Sequence, residues 1–317
     1  DGKGAYLRVG RQEMLLGSQR LISTLAWANT RRTFQGVRGY RVGDQWDFDM
    51  FWVQPVVPNA RQFDSVDNNV NFAGAWLTHR PKKGTFLDWY YLFLDNTSRI
   101  VQQGIVDAPY NVHTLGTRAV GDEDGWLYDV ELMMQLGERG ANTLVAGAAS
   151  VGGGYDFKGV PFKPVFWLCY DYASGDNSPN RGSYTTFHQL FPFGHYYLGW
   201  IDLVGRQNIH DVNAHLYLYP ANWVTVWCQY HHFQLASRRD ALYAANGVAL
   251  RRDPTGRAGS HVGDEVDLVM NFHLSNHSDI LCGYSRLFAG SFIERTARNA
   301  AQAASPDLWY LMYSYRW

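Results

Sequence analysis

The stretch Asp264-Glu265-Val266-Asp267-Leu268-Val269-Met270-Asn271-Phe272-His273-Leu274-Ser275 decides how this chain must be read. Its even positions Val266, Leu268, Met270, Phe272 and Leu274 are apolar, whereas Glu265, Asp267, Asn271 and His273 are polar. Side chains return to the same face every second residue in a strand and about every 3.6 residues in a helix, so the stretch is a strand with one greasy and one wet face. From Leu127 to Leu136 the same split sets Tyr128, Val130, Leu132, Met134 and Leu136 against Asp129, Glu131 and Gln135. At the C-terminus Trp309, Leu311, Tyr313, Tyr315 and Trp317 share one face, with Tyr310, Ser314 and Arg316 on the other.

Extending this period over the chain predicts about fourteen strands of about 10 to 13 residues, where a globular strand averages about 5 to 6. They run near 4 to 13, 33 to 43, 46 to 55, 68 to 79, 85 to 95, 111 to 120, 126 to 137, 143 to 154, 162 to 173, 209 to 219, 223 to 235, 264 to 275, 279 to 289 and 307 to 317. About 9 to 11 tilted strand residues cross a bilayer, so length favours a transmembrane barrel. Short connections such as Gly43 to Gln45, Pro81 to Gly84, Gly121 to Gly125, Pro220 to Asn222 and Ser275 to Ser278 alternate with mostly long ones, 174 to 208 and 236 to 263 among them. Outer-membrane barrels keep this parity, with short periplasmic turns and long outer loops, whereas a sandwich or propeller has no reason to. The expected fold is therefore all-β: one transmembrane antiparallel outer-membrane barrel domain over residues 1 to 317.

Composition agrees. The 317 residues are 46% hydrophobic, 18% charged and 15% aromatic, rings of the kind that collect at membrane interfaces. Mean hydropathy is −0.30, and no apolar run approaches the roughly 18 residues of a membrane helix. A net charge of −1 argues against a nucleic-acid binder. Cys169, Cys228 and Cys282 are odd in number and widely spaced, which suggests packing residues, not disulfides or zinc ligands. The alternation begins almost at Asp1, as in a mature chain or one that starts inside a longer protein.

Several segments resemble the alginate-export family of outer-membrane proteins. Leu7-Arg8-Val9-Gly10-Arg11-Gln12-Glu13, Gly17-Ser18-Gln19-Arg20-Leu21 and Arg32-Thr33-Phe34-Gln35-Gly36-Val37-Arg38 are similar to that family's arginine-bearing strand and its successor. So are Ala173-Ser174-Gly175-Asp176, Phe187-His188-Gln189-Leu190-Phe191-Pro192 with Gly194-His195-Tyr196-Tyr197, Tyr230-His231-His232-Phe233, Gly263-Asp264-Glu265-Val266-Asp267-Leu268 and Gly283-Tyr284-Ser285-Arg286-Leu287-Phe288. The resemblance implies an eighteen-strand barrel whose first four strands are absent here, or else a smaller closed barrel. It also implies export of an anionic polysaccharide across the bacterial outer membrane, with a periplasmic export scaffold as a possible partner. The short turn Ser275-Asn276-His277-Ser278 departs from the family, whose alginate exporter carries a long plug loop there.

A passage for a polyuronate needs guanidinium groups to replace the water its carboxylates lose. Arg11, Arg38 and Arg118 are the candidates, and Asp129, Glu131, Gln135, Glu265, Asp267 and Asn271 are the polar wall positions expected beside them. An ordinary lumenal network of these arginines with Asp47, Asp49, Asp88, Asp129, Glu131 and Asp267 explains them equally well. The cluster Arg238, Arg239, Arg251, Arg252 and Arg257 would concentrate anions at the outer mouth or meet lipopolysaccharide in the outer leaflet. His188, His195, His210 and His215 lack metal-ligand spacing, Gly152-Gly153-Gly154 lacks the Lys and helix of a phosphate loop, and no catalytic group, cofactor or metal is expected. The readings left open are a polysaccharide-export channel, a general porin for small solutes, and a non-transporting barrel in a larger assembly; the barrel is expected to be monomeric.

The aromatic ending Tyr313, Tyr315, Trp317 resembles the signal by which insertion machinery recognises barrels. Deleting Tyr315 to Trp317 is expected to cut outer-membrane insertion sharply, measured by membrane fractionation; normal insertion would leave those rings as interface anchors only.

Overall fold

A computed structural model describes residues 2–98, 108–178 and 182–316. The C-terminal Trp317 lies outside the described residues. In chain order the strands are β1 (Gly4–Gln12), β2 (Phe34–Val42), β3 (Trp46–Val57), β4 (Ser65–Val66), β5 (Val70–His79), β6 (Phe86–Asn96), β7 (Tyr110–Glu123), β8 (Trp126–Arg139) and β9 (Asn142–Asp156). They continue with β10 (Val165–Ala173), β11 (Ser183–Tyr184), β12 (Ile209–Ala221), β13 (Val224–Leu235), β14 (Ala241–Tyr243), β15 (Ala249–Arg252), β16 (His261–His273), β17 (Ser278–Ala289) and β18 (Asp307–Tyr315). Helices α1 (Ser291–Thr296) and α2 (Ala300–Ala303) lie before the last strand.

There are thus 18 strands among the described residues, not about fourteen. The surplus is β4, β11, β14 and β15, which are 2 to 4 residues long and too short to show a period. The long strands follow one another as antiparallel neighbours from β1 to β18, while β4 and β11 attach to β3 and β9 and β14 pairs with β15. A second departure concerns closure. Among the described residues β1 and β18 are not paired with each other, so the sheet is open at those two strands.

Alternation survives in the burial of the long strands β5, β9 and β16. On β16 Val266 and Leu268 are 44% and 40% exposed, while Glu265 and Asp267, which alternate with them, are fully buried. Leu115, Leu132, Met134, Val151, Leu168, Val212 and Leu311 extend the exposed apolar surface around the sheet. Trp46, Trp126 and Trp223 stand exposed beside the short turns, where an interface girdle belongs. The opposite face holds the packed core, including Phe34, Phe72, Leu92, Phe187 and Phe233.

Ring stacking shapes that inner face. Trp76 on β5 and Tyr90 on β6 stack at 4.1 Å. Tyr90 lies across Gly116 of β7, and a Cβ on Gly116 would collide with its ring. Gly116→Val is therefore expected to destabilise the fold by about 1–3 kcal/mol through overpacking, seen as a lower urea midpoint in lipid vesicles; an unchanged midpoint would mean that Tyr90 moves aside freely.

Candidate functional site

The interior is built by two connections that fold against the sheet's inner face. Residues 13–33 bring Met14, Leu16, Leu21 and Ile22 into the core, and residues 174–208 bring Phe187, Leu190, Leu198 and Val204. Extended backbone in an apolar interior must find hydrogen-bond partners. Part of the need is met between the two segments: Ile22 bridges Phe191 in parallel, Ser23 N donates to Phe191 O at 2.9 Å, and Phe193 N donates to Gln19 O at 2.8 Å. Phe191 then packs edge-on against Phe34 and Phe72, at 5.1 and 4.9 Å.

Wall side chains meet the rest. Gln135 on β8 donates to His188 O and accepts from His188 N, both at 2.7 Å, and so clamps one residue of the inserted segment by its backbone. Glu265 accepts from Ile201 N at 3.0 Å. The wall residue Gln229 accepts from Trp200 Nε1 at 2.9 Å. His188 is held neutral at pH 7 because burial, then Arg139, pushes its imidazole down to about 4. Its Nδ1 accordingly accepts from Leu190 N at 3.0 Å.

The charged centre lies where the first segment touches the wall. Arg20 Nη1 reaches Glu131 at 3.0 Å, its Nη2 reaches Asp129 at 3.2 Å, and Tyr197 lies under the guanidinium at 4.9 Å. Burial opposes the charge, but Asp129 and then Glu131 hold Arg20 protonated well beyond its ordinary range. Arg118 grips Asp129 with two nitrogens, at 2.9 and 3.1 Å, and stands 3.6 Å from Asp88. Ser18 and Tyr90 complete Glu131 at 3.0 and 2.8 Å. The close approach requires Gly17, whose φ is +56° and where a Cβ would lie 2.5 Å from Trp76. A parallel centre serves the second segment: Arg206 Nη1 donates to Asp171 at 2.6 Å and to Ser150 at 2.8 Å.

Between the centres a cavity of about 120 Å³ remains, lined by Arg20, Asp129, Asp171, Tyr196, Tyr197 and His215 among others. The inner face of β9 makes this room, because Ala146, Ala148, Ser150, Gly152 and Gly154 are all buried and small. Gly152 thus lines the cavity from within a strand.

The structure gathers Arg118, Asp129 and Glu131 into one cluster, and sets Gln135, Glu265 and Asp267 under the inserted segments. Asp267 is fully buried, 3.9 Å from His231, and Asn271 sits half-buried toward the short-turn end of β16. Arg38 is separate, ion-paired with Asp49 and 4.8 Å above Tyr40. Arg11 does not join either group: it has the parity of the exposed Leu7 and Val9, is 44% exposed, and pairs with Asp64 at 3.2 Å. Of the outer basic cluster, Arg251 donates to Ile293 O at 3.1 Å and Arg252 to Arg239 O at 2.9 Å, so both tie connections together. His195 is stacked on Trp27 at 3.8 Å and bonded to Asp202 at 3.1 Å. Sequence reasoning missed Arg20 and Arg206 as site residues, since neither lies on a periodic segment. One signal was available, because Phe187, Leu190, Phe191 and Phe193 make a connection too apolar to lie in water.

A family model described as alginate export matches residues 1–308. No curated protein matches the chain. Among solved structures, OccD3 of Pseudomonas aeruginosa is similar at TM-score 0.61 and 12% identity, over 98% of this chain and 74% of its own. OprD of Pseudomonas aeruginosa is similar at TM-score 0.56 and 11% identity, over 98% and 74%. OccAB4 of Acinetobacter baumannii is similar at TM-score 0.55 and 12% identity, over 90% and 68%. At such identities the likeness is one of fold.

Removing Arg20 leaves the buried Glu131 without its cation, while Asp129 keeps Arg118. Arg20→Met should cost about 3–5 kcal/mol, and adding Glu131→Gln should restore most of it, both read from denaturant unfolding in lipid. A single variant as stable as the parent would show that water replaces the guanidinium.

Proposed function

The chain belongs to the alginate-export family and lies in the bacterial outer membrane as a β-barrel channel protein, and from that premise we propose that it passes small polar solutes through the space its inserted segments leave. The carrying observation is the obstruction itself. Segments 13–33 and 182–208 lie against the inner face, and the cavity left between Arg20 and Asp171 is about 120 Å³. A hydrated polymer needs a continuous bore, whereas single solutes can exchange through such a gap with small side-chain movements.

Charge supports the same reading. Arg20, Arg38, Arg118 and Arg206 each meet a carboxylate, so the interior offers alternating donors and acceptors instead of a run of free cations. A solute bearing both hydroxyls and a carboxylate can exchange with those partners one at a time. The apolar outer surface is the place for lipid and lipopolysaccharide.

Export of an anionic polysaccharide is the second reading, favoured by the family match over residues 1–308. It requires the inserted segments to swing out or part. Proteoliposome flux separates the two. Uronate monomers and neutral monosaccharides are expected to enter while long uronate oligomers are excluded, and Arg20→Gln should slow the acid more than the neutral sugar. Oligomer passage at the monomer rate would establish polymer export instead.

A further inference from the structure

On the outward face, at the end of the sheet that carries the long connections, His232, His261 and Asp264 present one ligand atom each within 4.8 Å of one another. It is the one such grouping of three among the described residues. His232 Nδ1 lies 2.7 Å from Asp264 Oδ1, and His261 Nε2 lies 3.1 Å from Asp264 Oδ2. The two imidazoles stack at 5.0 Å. From this geometry we propose that the three residues form a binding site for a divalent transition metal of the Zn²⁺ class.

The backbone is shaped to make the grouping. His261 and Asp264 are three apart, a spacing that points to opposite faces in a regular strand. Here the β13–β16 register runs His232↔Asp264 and Phe233↔Gly263, then jumps to Gln234↔His261. The skipped residue, Val262, is fully buried, and the bulge turns His261 to the face of Asp264. Bulges commonly re-aim a side chain in this way.

The surroundings are those of a ligand set. Tyr230 donates its hydroxyl to Asp264 at 2.6 Å and fixes the carboxylate. The Gln234 amide stands 2.9 Å from His232 Nε2; turned over, its oxygen would accept the Nε2 proton and leave Nδ1 for the metal, the usual arrangement behind a ligating histidine. Zinc donors lie about 3.3 Å apart around a tetrahedral ion with bonds of about 2.0 Å, so the trio needs only small shifts. Two imidazoles and one carboxylate suit Zn²⁺ over the hard cations Ca²⁺ and Mg²⁺, and three protein ligands leave a position open to water. The side chains are 34%, 38% and 29% exposed, which gives the ion access.

The position gives the site a consequence. His232 precedes and His261 follows the connection 236–260, so a bound ion would clip that connection at its base. Calorimetric titration of the untagged full chain in detergent with Zn²⁺ tests this. One equivalent should bind, and His261→Gln and Asp264→Asn should each weaken it at least about tenfold, with Gln234→Ala weakening it about 10–100-fold as a supporting group does. His273→Gln, which alters a His–Asp pair at 2.7 Å outside this grouping, should leave binding unchanged. Zn²⁺ should also slow proteolysis within 236–260 in the parent and not in the variants. Absence of binding by the parent, or binding that survives both His261→Gln and Asp264→Asn in chains that keep native strand content, overturns the proposal.

Discussion

The interior of this protein depends on one constraint: two long connections lie against the inner face of a sheet, and their backbone must be satisfied there. An amide buried without a partner costs about 1–3 kcal/mol, and a connection has no ladder of its own to supply partners. The wall therefore carries polar side chains at set places. Gln135 holds both backbone groups of His188, Glu265 takes Ile201 N, and Glu131 takes Ser18 and Arg20. Each of these positions has the alternation of a channel lining, yet in this structure each supports an inserted segment.

The same constraint sets the electrostatics. Wall acids Asp129, Glu131 and Asp171 meet arginines that arrive on the connections, Arg20 and Arg206. Neither partner would be tolerable alone at such burial, because an unpaired buried charge costs more than the pair gains. Charge pairing thus fixes where the segments sit, and the segments in turn fix how much space is left. Aromatic contacts add direction: Tyr197 under Arg20 and Phe191 between Phe34 and Phe72 allow little rotation of either segment. Arg118 belongs to both systems, since it is a wall residue that braces Asp129 for Arg20.

Much of this was legible from the residues. Period-two alternation placed the long strands to within about three residues, and the parity of the connections distinguished the two ends of the sheet. The motifs around Arg11, Phe187 and Asp264 carried the family. The inner phase of β8 and β16 followed from Asp129, Glu131, Gln135, Glu265 and Asp267 alone. Arg11 shows where such reasoning stops: it keeps the parity of the exposed Leu7 and Val9, and its partner Asp64 comes from a connection.

The sequence by itself determined the class of fold, the two faces of strands such as β8 and β16 and the kind of membrane it enters, since these follow from local patterning along the chain. The tertiary structure decided what fills the inside. Whether segments 13–33 and 182–208 lie in water or against β8 turns on contacts between residues far apart in the chain, such as Arg20 with Glu131 and Gln135 with His188, 111 and 53 positions apart. No local pattern encodes those distances, so the inserted segments, the paired charges and the bulge that turns His261 beside Asp264 become visible only once the strands are in register.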